Sequence, residues 1–222
     1  MKKILAVAVH PDDETLGCGG ALLKHKKNGD EIYWLIITTI NVEIGWKEEK
    51  VESRRKEIDK VSKVYSFSAT YNLGFPSTRL DTISMKDLIS EISNIIQKVE
   101  PDLIYIPNRS DIHTDHQIVF KAIMSCTKIF RCPFIKKILM CECLSETEFS
   151  PAMPADAFIP NVFVDIEGFL EEKIKIMTMY RDEMGSFPFP RSEENIRALA
   201  MYRGATAGVE IAEAFVLLKE VI

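Results

Sequence analysis

The chain has 222 residues, 46% hydrophobic and 27% charged, with a formal net charge of −5. This length suits one sizeable core and leaves two domains cramped. The acidic balance, without a long Lys/Arg block, gives no footprint for nucleic acid, and no apolar run approaches the roughly 18 residues of a membrane span.

In chain order, "MKKILAVAV" starts like a secretory leader, but its apolar run, Ile4–Val9, is short and passes straight into charges. It reads as the first strand of a cytoplasmic protein. The strand exits into His10, Pro11, Asp12, Asp13 and Glu14, a crowding of acids that is costly unless something positive sits among them. A helical pattern follows from Leu16 to Asn28, closed by Gly29, with Gly17, Gly19 and Gly20 letting the helix approach the sheet. His25, among Lys24, Lys26 and Lys27, reads as a solvated side chain. Glu31–Ile40 is rich in β-branched and aromatic residues and predicts strand two, followed by a charged helix over Trp46–Tyr65 and a short strand near Thr70–Leu73. Apolar residues at helix spacing mark Met85–Val99, and "DLIYIP" (Asp102–Pro107) is the fourth strand.

The second half continues the alternation, with a helix over Asp115–Phe130, strands at Lys137–Leu144 and Asn161–Ile166, helices over Gly168–Arg181 and Glu193–Arg203, and a closing strand, Ala214–Val221. Pro188 and Pro190 mark Ser186–Asn195 as the most mobile surface loop. The five cysteines include no C-x-x-C pair and read as free, buried thiols. Near-continuous apolar strands alternating with helices predict an α/β, Rossmann-like, mostly parallel sheet with helices on both faces, in one domain spanning residues 1–222.

A second unusual stretch, "PNRSDIHTDHQ" (Pro107–Gln117), leaves the fourth strand. With an assumed strand order of 3-2-1-4-5, this exit and the His10–Glu14 exit flank one crevice, where such sheets bind ligands. Thr114 with Gln117 three residues later is a capping-box signature, which makes Thr114 the N-cap and puts His116 in the first helical turn. Each motif alone also reads as a turn or cap. Together they suit a divalent metal, because catalytic zinc takes three His or carboxylate ligands and keeps an open position for water. His10, one of Asp12 or Asp13, and one of His113 or His116 would form such a set, leaving a carboxylate and a histidine for proton transfer and oxyanion stabilisation.

"AVHPDDETLGCGG" with "DIHTDH" resembles the PIG-L / LmbE-like family of zinc-dependent N-deacetylases. Val9 stands where the family usually has Ala, and Thr114 where Pro is frequent. "RRKE" (Arg54–Glu57), "NLGFPSTRL" (Asn72–Leu80) and "RGATAGVEIAEAF" (Arg203–Phe215) extend the likeness over most of the chain. The resemblance implies that His10, Asp13 and His116 bind zinc, with ferrous iron the alternative. It makes Asp12 the general base for a zinc-bound water, and His113 the oxyanion stabiliser or acid, oriented by Asp115. Arg54 and Arg79 become substrate-binding candidates; otherwise they read as a helix-surface ion pair and a solvated loop residue. The implied substrate is an N-acetylated amino sugar or its conjugate, and assembly into a homo-oligomer is common among members. Two rivals stand against this. A nucleotide-binding Rossmann module would need G-x-G-x-x-G after strand one, which Gly17-Cys18-Gly19-Gly20 misses. A family member that keeps zinc but has drifted into a regulatory or scaffolding role is opposed by the full complement of Asp12, Asp13, His113 and His116, though a blocked pocket leaves no mark in a sequence.

Overall fold

The computed structural model describes all residues, Met1–Ile222. In chain order the elements are β1 (Lys3–Ala8), α1 (Asp13–Lys27), β2 (Glu31–Thr39), α2 (Glu48–Tyr65), β3 (Ala69–Pro76), α3 (Met85–Val99), β4 (Leu103–Ile106), α4 (Thr114–Cys126), β5 (Lys137–Cys141), β6 (Val162–Asp165), α5 (Leu170–Met177), α6 (Glu193–Ala207) and β7 (Ala212–Glu220). Single 3₁₀ turns occupy Val42–Ile44 and Leu80–Thr82. All seven strands join one sheet in the order β3-β2-β1-β4-β5-β7-β6. The first five run parallel, as the apolar strands predict, and β7 pairs antiparallel with both β5 and β6.

Strand pleating divides the core in two. Ile4, Ala6 and Ala8 of β1 face one cluster with residues of α1, α2, α5 and α6, while Leu5 and Val7 face the other with residues of α3 and α4. β2 sends Ile32, Trp34 and Ile36 to the first side and Leu35 and Ile37 to the second. Successive side chains point to opposite faces, so a strand apolar at every position needs helices on both sides. No helix is long and apolar enough to cross a membrane. All five cysteines are free and buried.

Several boundaries differ from expectation. α1 begins at Asp13, three residues before Leu16, so part of the acidic stretch is helix and not loop. α4 stops at Cys126 and α5 spans only Leu170–Met177. The N-cap of α4 is His113, not Thr114: its backbone is extended and its ring accepts the Asp115 N–H. His25 is not simply solvated. It lies between Asp30 (2.8 Å) and the Tyr105 hydroxyl (3.1 Å). The Ser186–Asn195 loop is anchored at its far end, where Arg191 binds Glu183 and Ser145, and Ser192 caps α6.

α1 is kinked at Cys18, whose φ of −146° lies outside helical values. The kink frees the N–H groups of Gly20 and Ala21, and both donate to the Glu213 carboxylate of β7, at 2.8 and 2.7 Å. Lys173 of α5 completes this buried cluster, 2.7 Å from Glu213 and 2.9 Å from the Leu16 carbonyl. Gly17 and Gly20 give the close approach foreseen for them. A Cβ on Gly17 would sit 3.0 Å from that of Cys141 on β5, and one on Gly20 would sit 2.8 Å from Ile166 beyond β6. Gly19 instead faces Tyr65 of α2.

Candidate active site

β1 and β4 are neighbours, and their exits deliver both motifs to one crevice at the carboxyl edge of the sheet. The His10 N–H donates to Asp13 Oδ2 at 2.8 Å, which ties the strand exit to the first turn of α1. Across the crevice, the first turn of α4 supplies Asp115 and His116. His10, Asp13 and His116 each present a ligand atom within 4.8 Å of the others, and so do His10, His113 and Asp115.

The two groups differ in what their atoms already do. Asp115 accepts the N–H groups of Thr78 (2.7 Å) and Leu80 (3.2 Å) and lies 3.3 Å from His10 Nε2. His113 Nδ1 is taken by the Asp115 N–H at 3.1 Å. His116 is different. Its Nδ1 bonds Asp111 at 2.8 Å, while its buried Nε2 has no hydrogen-bond partner and lies 3.4 Å from Asp13 Oδ2. An unsatisfied buried nitrogen is costly, and one beside a carboxylate and a second imidazole suits a cation. The His10–Asp13–His116 donor set therefore fits zinc or ferrous iron, with Asp111 orienting a ligand as carboxylates do behind metal-bound histidines.

Electrostatics separates the adjacent aspartates. Burial pushes the Asp12 carboxyl well above the usual range, helped by Asp13 and Glu183, and opposed by Arg191 and Arg54. Burial acts the same way on Asp13, but His116 and then His10 outweigh it and hold Asp13 well below the range. His116 is the mirror case: burial disfavours its charge, yet Asp13 and Asp111 raise it well above an ordinary histidine. The same two carboxylates would attract a divalent ion. Burial, His10 and His116 lower His113 to about 4, so its ring is neutral at pH 7. Because Nδ1 accepts a hydrogen bond, the ring proton sits on Nε2.

A cavity of about 320 Å³ opens over these groups, and His10, Asp12, Asp13 and His113 all line it. Of the two arginines named from sequence, Arg54 lines the cavity and Arg79 does not. Arg54 is buried, donates to the Pro11 carbonyl at 3.0 Å and pairs with Glu57 and Glu183. Its guanidinium is thus committed to the scaffold. Arg79 is exposed because Thr78, at φ 62°, turns the loop so that backbone N–H groups reach Asp115 and the arginine stays outside. Asp115 contacts His113 through its backbone N–H, while its carboxylate bonds His10 and this loop. Sequence reading missed Asp111, Cys143, Ser145, Glu183 and Arg191. Asp111 had a visible signal, five residues before His116 and inside the motif, and Arg191 lies in the proline-marked Ser186–Asn195 loop, whereas Cys143, Ser145 and Glu183 come from remote loops with no pattern of their own.

The family model described as "PIG-L: GlcNAc-PI de-N-acetylase" matches residues 5–127, more than half of the chain. The chain belongs to the PIG-L family. Among its relatives, "Uncharacterized deacetylase YaiS" of Escherichia coli K12 is 32% identical over 128 residues, covering 55% of this chain and 66% of that protein. "Diacetylchitobiose deacetylase" of Thermococcus kodakarensis is 23% identical over 226 residues, covering 96% of this chain and 82% of its own length. The solved N,N′-diacetylchitobiose deacetylase from Pyrococcus horikoshii has a similar fold, with a TM-score of 0.78 at 21% identity, covering 98% of this chain and 84% of that one.

Proposed function

We propose that this PIG-L member is a metal-dependent N-deacetylase that removes acetyl from an N-acetylated amino sugar or its conjugate. The observation that carries this reading is the unpartnered, buried His116 Nε2 beside His10 and Asp13, two residues that line the same cavity as Asp12 and His113. His10, Asp13 and His116 would hold the metal. When bound, zinc supplies Lewis acidity toward the acetamide carbonyl and brings the pKa of water near 7.

The protein's own groups supply the rest. Asp12, the adjacent carboxylate that is free of the ligand set, takes a proton from the attacking water. His113 presents Nε2–H to the oxygen that gains charge as the carbonyl becomes tetrahedral. Asp115 holds His10 and the Thr78–Leu80 turn in register. The cavity is open, which favours a working enzyme over a regulatory family member. The sugar class is supported by the names of the chitobiose deacetylases the chain resembles.

The test is acetate release. Purified protein loaded with zinc is expected to free acetate from N,N′-diacetylchitobiose or from an N-acetylglucosamine conjugate, and to lose this on chelation. Protein that binds about one metal per chain yet releases acetate from no N-acetyl sugar would overturn the substrate class. Protein that binds no metal would overturn the chemistry.

A further inference from the structure

We infer that Tyr180 is a positioning residue for Asp12, acting on the peptide group that joins Pro11 to Asp12. This rests on the reading of Asp12 as the base. Asp12 adopts φ 139° and ψ −27°, a backbone conformation that L-residues rarely adopt. Something must hold it there, and both sides of the residue are accounted for. On its carbonyl side, the Thr15 and Leu16 N–H groups bond the Asp12 oxygen at 3.0 and 2.9 Å. On its amide side, both polar atoms of the preceding peptide are gripped. Arg54 donates to the Pro11 oxygen at 3.0 Å, and the Asp12 N–H donates to Glu14 Oε2 at 3.1 Å.

Rotation of that peptide plane about the Asp12 N–Cα bond is φ itself, so these two bonds fix where the Asp12 side chain emerges. Tyr180 touches both grips. Its hydroxyl donates to Glu14 Oε1 at 2.6 Å, and its ring lies under the Arg54 guanidinium, 5.6 Å from ring centroid to guanidinium carbon. The ring is fully buried and lines no part of the cavity, so Tyr180 acts through Glu14 and Arg54 and not on substrate. Tyr65 sits one bond further out, its hydroxyl donating to Thr15 Oγ1 at 3.1 Å.

Tyr180→Phe removes the hydroxyl and keeps the ring. With zinc-loaded enzyme and N,N′-diacetylchitobiose, kcat is expected to fall about tenfold or more, since small misplacements of a reacting group cost up to about 100-fold. KM and zinc content should stay unchanged. Tyr180→Leu, which also removes the ring under Arg54, should fall further, and Tyr65→Phe should leave kcat unaltered. A crystal structure of Tyr180→Phe should show Asp12 relaxed out of positive φ. Wild-type kcat in Tyr180→Phe, or zinc content falling in step with kcat, would overturn the inference. If wild-type protein releases no acetate from this probe, the proposed function fails on that probe. The crystal structure then decides alone: relaxed Asp12 supports the inference and retained φ overturns it.

Discussion

Asp12 and Asp13 are chain neighbours with opposite electrostatic fates, and each fate is traceable to specific contacts. Asp13 faces two imidazoles, while Asp12 faces burial and other carboxylates. Replacing Asp12 by Asn should keep metal content near wild type and lower kcat by about 10² or more, the range of general-base effects. His116→Ala should instead abolish metal binding, as judged by metal content after dialysis. Asp111→Asn keeps His116 in place but weakens its orienting bond, and metal affinity is expected to drop about 10- to 100-fold by competition titration. The candidate ligands were visible as two short motifs, although the residues alone left Asp12 or Asp13 and His113 or His116 open and only the family resemblance chose among them. Their partners were less so, since Glu183 and Arg191 reach Asp12 only through folding, and the turn that excludes Arg79 depends on one positive φ at Thr78.

Among the elements, α1 shows where pattern reading stops. Its composition predicts a helix and its glycines predict close packing, but nothing local announces a kink at Cys18. The kink persists because Glu213, 193 residues from Gly20, accepts the freed N–H groups, and Lys173 neutralises the carboxylate. Removing one partner of such a buried pair costs about 3–5 kcal/mol. Glu213→Gln should lower stability on that scale in chemical denaturation, and an effect below about 1 kcal/mol would deny the cluster its structural role. Gly20→Ala should also destabilise, by about 1–3 kcal/mol, because its Cβ would press on Ile166. The N-cap of α4 teaches a related lesson: Thr114 and Gln117 fit the capping pattern, but Thr114 is already helical and the His113 ring takes the cap, accepting the Asp115 N–H.

For the molecule as a whole, the parallel α/β class was readable from apolar strands alternating with helices, while the order β3-β2-β1-β4-β5 was an assumption, drawn from the few topologies such alternation leaves, that the sheet matches. The antiparallel β7 between β5 and β6 was not readable, since periodicity carries no direction. Far from the cavity, His25 and Asp30 link stability to pH. Burial holds His25 below an ordinary histidine against the pull of Asp30, and Asp30 lies below the usual carboxylate range because His25 and the Lys2 N–H outweigh its burial. Both folded values are depressed, so both contributions are present above the unfolded values, about 6.5 and about 3.9, and fade as pH falls below them. Urea midpoints across buffers should therefore decline less steeply below about pH 6.5 for His25→Gln than for wild type; identical slopes would refute the assignment. The position of β7 has a consequence for synthesis. β6 has no sheet neighbour except β7, and the kinked α1 has no acceptor until Glu213 of β7 arrives. Chains emerge from the ribosome N-terminus first, so β7 follows every other element of this sheet. The nascent chain thus carries its histidines and aspartates early, but the helix that bears Asp13 is completed only by one of the last strands to be made.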